Sequence, residues 1–471
     1  MHRAGKAVAD ASIALLPKDI SHPRVLLAVG PGNNGGDALE AALELIKHGV
    51  HLFILMPTAP GDGFPEAKNA LHKARASEIS FIELSGLSND DSWDLAIDGL
   101  FGIGMTRPAQ GEFRKLIVYL NQLSCPTLAI DVPSGLNADV GTLIGPEGVA
   151  VNANATITFI ANKPGLHTLH GRDYAGRVMV DDLTIERSLF KEPIGQLNRP
   201  ELFFSSLRPR AHASHKGSYG DLYVMGGACG MAGAALLAAR AGVMTGAGRV
   251  FVGFIDSPPA FDPLHLELMC RSAHLLAPDR GAIVAGPGMG DSQEANELLA
   301  RMLSNDLPLV LDADALNELS TEPGLQKRLM QRRSTTVLTP HPLEAARLLG
   351  ISTEEVQENR LDAAQKCATK FRSVVILKGS GTIIVDQDKH LVINTTGNAA
   401  LATAGTGDVL AGVCGSLLAQ QWPTWNAALA AVWIHGHAAD CMVSDGVGPI
   451  GITAPELLPY IRKSLNQLLP G

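Results

Sequence analysis

The sequence contains few cysteines and no long run of charge of one sign. Its 471 residues include six cysteines, and their scattered positions form neither a CxxC pair nor a spacing typical of metal ligands. We therefore expect reduced thiols and a cytoplasmic protein. The 38 basic and 47 acidic residues give a net charge of -9. Dispersed charge with this balance argues against nucleic acid or a membrane surface as a partner.

We also expect neither a signal peptide nor a membrane-spanning segment, because the first residues show no typical cleavage site and no uninterrupted apolar run in the sequence is long enough to cross a bilayer. Its first residues are typical of a helix already under way, which leaves open an upstream segment outside this sequence. Hydrophobic residues make up 46% and charged residues 18% of the chain, as in globular proteins with large cores. Because the length exceeds what one hydrophobic core usually serves, we expect two domains.

Short apolar strands alternate with amphipathic helices in both halves of the chain. The first series runs from a strand at Arg24–Val29 to one at Arg177–Val180, and the second opens at Asp221–Met225. Between them the periodicity fades, and the proline-rich stretch from Pro193 to Arg210 predicts a linker. The pattern predicts α/β domains with mostly parallel sheets that helices cover on both faces.

Three polar, glycine-bearing loops follow strands of the first half, at residues 30–37, 98–108 and 131–139. Ligands bind at the carboxyl ends of such strands. Asn34, Asp98 and Ser134 would offer three oxygens to a hard cation, and a single carboxylate favours a monovalent ion over Mg2+. Asp131, at a strand end, is the candidate acid or base. The alternative is that Asp98 and Asp131 only cap turns.

The loops GPGNNGGD, DGLFGIGMTRP and DVPSGLNADVG closely resemble those of the N-terminal domain of the bifunctional NAD(P)H-hydrate repair enzymes. The resemblance covers about residues 1–205 and implies a Rossmann-like, three-layer domain that interconverts the R and S forms of hydrated NAD(P)H. It implies K+ ligation by Asn34, Asp98 and Ser134, with Asp131 as catalytic proton shuttle. It also implies substrate contacts from Asp131 and from Asn33, Asn34, Gly35, Gly36, Asp37, Gly102, Ile103, Gly104, Met105, Thr106, Arg107 and Pro108.

The second half carries a glycine-spaced turn, Gly405-Thr406-Gly407-Asp408, before an apolar helix predicted at Val409–Ala419. Free N–H groups in the first turn of a helix suit an anionic oxygen. A carboxylate at position 408 could take a proton from a hydroxyl that attacks a phosphoryl group. The alternative is that Asp408 is a helix N-cap. Lys378, beside two glycines, suits nucleotide phosphates, although the P-loop order is absent.

Together the motifs HKGSYGDLYVMGG, GPGMG, LDADALN, TPHPLEAARLLG, LKGSGT and GNAALATAGTGDVLAG resemble the ADP-dependent NAD(P)H-hydrate dehydratases of the ribokinase-like superfamily. The resemblance covers residues 213–471 and implies a ribokinase-like α/β domain. It implies that Ala234, Gly288, His341 and Asp408 contact the S-hydrate, with Asp408 catalytic. It implies nucleotide binding by Lys378, Gly379, Ser380, Gly381, Thr382 and Gly407.

The reaction implied for the second half is phosphorylation of the C6 hydroxyl of hydrated NADH or NADPH by ADP with Mg2+. Loss of phosphate then restores NAD(P)H and leaves AMP. The family resemblance also implies a homo-oligomer, a tetramer or larger. The alternative is a ribokinase-like kinase of a small alcohol whose first half is a non-catalytic binding module.

Overall fold

The computed structural model describes residues 1–87 and 91–469. Their contacts form two compact units that part between Glu192 and Pro193. Residues 193–205, which the sequence assigns to the first domain, therefore lie in the second unit. The reason is packing: Phe203 is fully buried in the second unit, and the amide of Asn198 donates to Asn394 Oδ1 at 2.9 Å. No helix among the described residues is long and apolar enough to cross a membrane.

The first unit is built on a parallel sheet with strand order β3-β2-β1-β4-β5-β6-β7. Its strands are β1 Arg24–Val29, β2 His51–Leu55, β3 Ser80–Ile82, β4 Leu95–Gly99, β5 Thr127–Ile130, β6 Ala155–Phe159 and β7 Arg177–Asp181. Its helices are α1 His2–Leu15, α2 Asn33–Ile46, α3 Pro65–Arg75, α4 Gly111–Leu120 and α5 Gly171–Tyr174.

Helices cover both faces of this sheet, as the alternation of side chains along β1 shows. Val25, Leu27 and Val29 pack in one core with apolar residues of α1, α2 and α3. Leu26 and Ala28 point to the opposite face and pack in a second core with α4. Because successive strand residues face opposite sides, both faces of a covered sheet must be apolar. This explains why β1 is an unbroken apolar run.

The second unit contains a sheet with strand order β11-β10-β9-β12-β13-β14-β15-β16-β17-β8. Its strands are β8 Gln196–Leu197, β9 Asp221–Gly226, β10 Arg249–Phe254, β11 Met269–Ser272, β12 Ala282–Ala285, β13 Leu309–Leu311, β14 Thr336–Leu338, β15 Val374–Leu377, β16 Ile383–Val385 and β17 Leu391–Ile393. Neighbouring strands are parallel, except that β16 is antiparallel to β15 and β17. Strands β16 and β17 thus form a hairpin.

Two layers of helices enclose this second sheet. The helices are α6 Ala232–Thr245, α7 Gln293–Leu303, α8 Asp314–Thr321, α9 Pro323–Gln331, α10 Pro342–Leu349, α11 Thr353–Glu358, α12 Arg360–Phe371, α13 Thr406–Ala419, α14 Thr424–Ser444 and α15 Leu457–Gln467. Helices α6, α13, α14 and α15 share one core, and α7 to α12 share the other. An added Cβ at Gly412 would overlap the Ala238 carbonyl, so the small residues of α13 allow close packing on α6.

Candidate active sites

Asp131 stands at the carboxyl end of β5 in an unusual backbone conformation. Its φ is 67°, a left-handed value that non-glycine residues rarely adopt. The N–H of Val132 donates to the carbonyl of Ile130 at 2.8 Å, which closes a three-residue γ-turn around Asp131. Strained backbone of this kind is concentrated at functional sites. The turn sends the carboxylate away from the sheet toward the loops.

The two oxygens of Asp131 have different surroundings. Lys163 Nζ lies 2.9 Å from Oδ1, and the hydroxyl of Thr158 donates to the same oxygen at 3.2 Å. Oδ2 accepts the N–H of Ile103 at 3.2 Å, and an added Cβ at Gly102 would lie only 2.8 Å from it. Lys163 therefore pairs with Oδ1 of Asp131, and Oδ2 faces the glycine loop at residues 102–108.

Asn34 and Asp37 extend the same site from the first turns of α2. An added Cβ at Gly102 would lie 3.3 Å from Asn34 Oδ1, so this amide oxygen and Asp131 Oδ2 border one space. Asn34 Nδ2 is buried without a hydrogen-bond partner among the described residues. Burial raises the pKa of Asp37 to about 7, and the nearby Asp131 adds to the rise. Helix α2 begins at Asn33, so the asparagines of the loop at residues 30–37 form its first turn.

Asp98 and Ser134 form a buried pair at the ends of β4 and β5. The hydroxyl of Ser134 donates to Asp98 Oδ1 at 2.6 Å, and its N–H donates to Oδ2 at 2.8 Å. The carbonyl of Phe101 lies 3.2 Å from the same hydroxyl oxygen. Asp98 is fully buried, and no Lys or Arg in the described residues pairs with it. Burial raises its pKa to about 6, although Ser134 opposes the shift.

These contacts test whether the residues fit a K+ ion. The oxygens of Asp98, Ser134 and Phe101 meet in one place, and all are hard ligands. A buried carboxylate without a counter-charge is costly, and a cation beside it would offset that cost. The donor set fits a monovalent cation. Of the three predicted K+ ligands, Asp98 and Ser134 are hydrogen-bonded to each other, whereas Asn34 Oδ1 borders the space beside Asp131 and Gly102.

Asp408 lies in the first turn of α13 in the second unit. The N-cap of this helix is Gly405, in the left-handed conformation with φ 86°, and not Asp408. The alternative that Asp408 caps the helix is therefore wrong, because glycine adopts the required backbone and α13 begins at Thr406, before the predicted Val409. Burial raises the pKa of Asp408 to about 7, with Asp312 adding and Lys378 opposing.

A lysine surrounded by carboxylates lies next to the turn that precedes Asp408. Lys378 Nζ lies 2.6 Å from Asp312 Oδ1 and 3.9 Å from Glu344 Oε2. An added Cβ at Gly407 would lie 3.4 Å from this ammonium group. Burial alone would lower the pKa of Lys378, but Asp312 and Glu344 raise it. Burial raises the pKa of Glu344 to about 7. Three carboxyl groups, those of Asp312, Glu344 and Asp408, thus act on this one ammonium group.

His341 begins α10 and joins the same cluster through Glu344. The ring Nδ1 of His341 accepts the backbone N–H of Glu344 at 3.3 Å, and the backbone N–H of His341 donates to Glu344 Oε2 at 2.8 Å. Its Nε2 lies 3.2 Å from Glu344 Oε1. Burial, followed by the charge of Lys378, lowers the pKa of His341, which favours the neutral ring at pH 7. Because Nδ1 accepts, the proton of the neutral ring lies on Nε2.

Gly288, in the turn after β12, lies against Ala234 in α6. Gly288 has a φ of 58°, and an added Cβ would collide with the carbonyl of Met231 and lie 3.2 Å from Ala234 Cβ. Glycine is therefore required for the approach of this turn to α6. The N–H of Gly290 donates to Asp314 Oδ2 at 2.9 Å, which ties the turn to the acidic loop after β13.

The loop at residues 378–382 follows β15. The Thr382 hydroxyl donates to the Gly379 carbonyl at 3.1 Å, and Gly379 has a φ of 134°, a left-handed value. An added Cβ at Gly379 would lie 2.9 Å from Arg360 Nη1. The loop therefore rests on the guanidinium of a buried arginine.

Sequence reasoning missed Lys163 and Arg360. Lys163 follows β6 in a loop at the same sheet edge as Asp131, so its place after a strand was an available signal. Arg360 is the first residue of α12, and its sequence neighbourhood reads as an ordinary polar helix.

Comparison with known proteins is consistent with this division of the chain. The family model described as YjeF-related protein N-terminus matches residues 1–165, and the model described as NAD(P)H-hydrate dehydratase matches residues 222–463. A bifunctional NAD(P)H-hydrate repair enzyme of Coxiella burnetii is 37% identical over 99% of this chain and 94% of its own. The corresponding enzyme of Escherichia coli is 34% identical over 99% and 89%.

Solved structures match the second unit. An ADP/ATP-dependent NAD(P)H-hydrate dehydratase from Bacillus subtilis, co-crystallised with ATP and Mg2+, has a TM-score of 0.51 at 29% identity, covering 57% of this chain and 97% of its own. A ribokinase-like superfamily protein from Enterococcus faecalis has a TM-score of 0.51 at 24% identity, covering 60% and 99%. The predicted fold class, a Rossmann-like three-layer domain followed by a ribokinase-like α/β domain, is confirmed.

Two family models in succession on one chain do not fit a small-alcohol kinase with a non-catalytic first half. Relatives that match almost the whole chain carry both halves under one name. The chain belongs to the family of bifunctional NAD(P)H-hydrate repair enzymes.

Proposed function

We propose that the first unit, residues 1–192, epimerises R- and S-NAD(P)HX and that residues 213–471, in the second unit, dehydrate the S form with ADP, releasing AMP and phosphate. The pairing has a chemical reason, since the first activity converts the epimer that the second cannot use. The observation that carries the proposal is the cluster in which Asp408, of raised pKa, stands beside Lys378, Asp312 and the glycine turn.

In the first activity, Asp131 would act as the proton shuttle at C6 of the hydrate. This carbon bears a hydroxyl and the ring nitrogen. When the hydroxyl proton leaves to Asp131 Oδ2, the C6–N bond can break to an aldehyde while the nitrogen takes up a proton. Reclosure on the other face of the carbonyl gives the other epimer. The pairing of Oδ1 with Lys163 supports this role, because Oδ2 does not contact the lysine and instead faces Gly102 and the N–H of Ile103.

The substrate would lie along the glycine loops at residues 33–37 and 102–108. Asn34 Oδ1 and the unpartnered Asn34 Nδ2 offer one acceptor and one donor beside Asp131. K+ would be held by Asp98 and Ser134, with Asn34 as the third predicted ligand. Its charge would support the buried carboxylate and fix the loop that begins at Gly99.

In the second activity, Asp408 would take the proton of the C6 hydroxyl as the oxygen bonds to the β-phosphorus of ADP and AMP leaves. General-base catalysis of this kind contributes about 100- to 10,000-fold in rate. The N–H groups of the turn at residues 405–407 would stabilise the moving phosphoryl group, each worth on the order of 3 kcal/mol. Loss of phosphate from C6 and of a proton from C5 restores the double bond.

The nucleotide would be held by residues 378–382 and Gly407, and the S-hydrate by Ala234, Gly288, His341 and Asp408. The contact between Gly288 and Ala234 and the link from His341 through Glu344 to Lys378 support this assignment. Mg2+, when bound with the nucleotide, would supply charge neutralisation at the phosphates.

The proposal includes a cytoplasmic homo-oligomer, a tetramer or larger. The dispersed thiols support the compartment, since none is paired in the structure.

The test is an assay of purified protein with each epimer, ADP and Mg2+, following the return of NAD(P)H absorbance. Both epimers should be converted, and Asp408→Ala should abolish dehydration while epimerisation continues. A stable phosphorylated product without recovered NAD(P)H would contradict the dehydratase assignment. ATP in place of ADP, assayed in parallel, decides the nucleotide preference, and light scattering decides the oligomer.

A further inference from the structure

Arg360 is a fully buried arginine beneath the loop at residues 378–382. It is 0% exposed, and burial lowers the pKa of its guanidinium to about 10, so the group stays positively charged at neutral pH. No carboxylate among the described residues lies in ion-pair distance, and burial is the only influence on its pKa. Its Nε is buried without a partner. A buried charge without a counter-ion is expensive and calls for an explanation.

The guanidinium binds the backbone of the nucleotide loop. Its Nη2 donates to the carbonyls of Leu377 and Lys378 at 3.3 and 3.1 Å, and its Nη1 donates to Gln357 Oε1 at 3.1 Å. The Gly379 backbone lies so close that a Cβ would meet the guanidinium at 2.9 Å. The arginine thus contacts the loop through backbone atoms only, and the glycine permits the approach.

The bond to the Lys378 carbonyl determines which way one N–H group of the loop points. In a trans peptide the C=O and the following N–H point in opposite directions. Arg360 holds the Lys378 carbonyl, so the N–H of Gly379, in the same peptide unit, points away from the guanidinium. The N–H of Lys378, in the peptide unit of Leu377, donates instead to the Pro340 carbonyl at 2.9 Å. The arginine therefore turns one N–H donor, that of Gly379, away from itself.

We propose that Arg360 is a positioning residue of the nucleotide site, holding the Lys378 carbonyl so that the N–H of Gly379 faces the phosphates of a nucleoside diphosphate. Its positive charge lies on the other side of that peptide unit, and the phosphates supply the missing counter-charge. This inference rests on the proposed nucleotide site. It adds a residue that touches neither the nucleotide nor the reacting atoms.

The test compares Arg360→Met with Arg360→Lys and with a matched control, Arg332→Met. Arg332 also lies on backbone carbonyls, donating to those of Met302, Leu303, Asn305 and Leu307, but it is remote from residues 378–382 in the fold. Each full-length variant is assayed for dehydration at varied ADP, for epimerisation, and for the rise in Tm that ADP with Mg2+ produces.

We expect Arg360→Met to raise the KM for ADP at least about tenfold with a smaller change in kcat, and to lose most of the ADP-induced rise in Tm. Arg360→Lys should recover part of the affinity for ADP, because lysine restores the positive charge but lacks the guanidinium that bonds both carbonyls. Arg332→Met should lower the Tm of the free protein and leave the KM for ADP unchanged.

The inference is overturned if Arg360→Met, or Arg360→Lys where the methionine variant does not fold, keeps the wild-type KM and the wild-type response of Tm to ADP. Failure of the nucleotide site itself looks different. In that case the unmodified protein shows no response of Tm to ADP and no dehydration, while epimerisation of the hydrates continues.

Discussion

Lys163 Nζ lies 2.9 Å from Asp131 Oδ1 and also donates to the Thr158 hydroxyl at 2.7 Å and the Phe159 carbonyl at 2.8 Å. The ammonium group is held by three partners, and the lysine side chain is only 17% exposed. It therefore fixes the position of one carboxylate oxygen. The other oxygen, Oδ2, accepts the N–H of Ile103 and faces Gly102, the side on which we place the substrate.

Lys163→Met should lower the rate of epimerisation about 10- to 100-fold and leave dehydration of the S-hydrate unchanged. The methionine keeps most of the side-chain volume but removes the ammonium that orients Asp131. Epimerisation is measured by chromatography of the R and S forms, and dehydration by the return of NAD(P)H absorbance.

Lys115→Met is the matched control for that substitution, since Lys115 lies in the same unit and its ion-pair partner among the described residues is the exposed Glu112. It should leave both activities unchanged. If Lys163→Met epimerises at the wild-type rate while Asp131→Asn is inactive, the lysine has no part in the shuttle.

The dehydration step should depend on pH through Asp408. Its pKa is raised to about 7 by burial and by Asp312, and the reaction needs the ionised form. Because a base is active only after it loses its proton, kcat/KM for the S-hydrate should fall as the pH drops below about 7. The product NAD(P)H itself decays in acid. Initial rates measured over short times therefore separate the titration of the enzyme from decay of the product.

Asp314→Asn tests the cause of that shift. Asp314 adds to the raised pKa of Asp408, and its Oδ2 accepts the Gly290 N–H, a bond that an asparagine oxygen can keep. The midpoint of the profile should move to lower pH in this variant. A midpoint that stays in place, or moves up, would mean that the titrating group is not Asp408.

K+ should stabilise the first unit, and the effect should depend on the ionisation of Asp98. Its pKa rises from 3.8 to about 6 on burial, so ionisation costs about 3 kcal/mol of folding free energy. The sign follows from the raised value: without a cation, stability falls as the pH rises from about 4 to about 6. A bound K+ should recover part of this loss, so K+ should raise Tm at pH 8 more than at pH 5.

Choline at equal ionic strength is the control for salt in that experiment, and Asp98→Asn is the control for the site. The asparagine variant should lose both the fall in stability between pH 4 and 6 and the specific response to K+. An equal response to K+ at both pH values, or in the asparagine variant, would remove Asp98 from the ligand set.

The strands at the start of each half could be predicted because they are local properties of the sequence. Apolar runs such as Arg24–Val29 mark strands that are buried on both faces, and polar glycine loops after them predict the ligand edge. The strand predicted at Arg24–Val29 has those bounds in the structure, and the one predicted at Asp221–Met225 extends one residue further, to Gly226. The two-residue β8 lay outside such reasoning, because its pairing with β17 is made by tertiary contact.

The electrostatic partners could not be predicted, because they come together from distant parts of the chain. Lys378 lies 66 residues from Asp312 in sequence, and Asn198 lies 196 residues from Asn394. The loop glycines were visible, but the sequence does not say which atom each glycine approaches. The contact of Gly379 with Arg360 is of this kind.

Gly102→Ala should block epimerisation without unfolding the first unit. The backbone of Gly102 is not in the left-handed region, so alanine is compatible with its conformation. The added Cβ would lie 2.8 Å from Asp131 Oδ2 and 3.3 Å from Asn34 Oδ1, inside the space that the two side chains border. It would either occupy the position of the substrate or displace the carboxylate.

We expect the rate of epimerisation to fall at least about 100-fold, comparable to the loss of a general acid or base, with a change in Tm of no more than a few degrees. Gly61→Ala is the matched control, because no atom lies within 4 Å of its added Cβ, and it should keep both activities. Wild-type epimerisation by Gly102→Ala would mean that the reacting carbon does not approach Asp131 Oδ2 from the side of Asn34. A joint loss of Tm and of epimerisation would instead show that the space beside Asp131 is tightly packed protein with no room for a ligand.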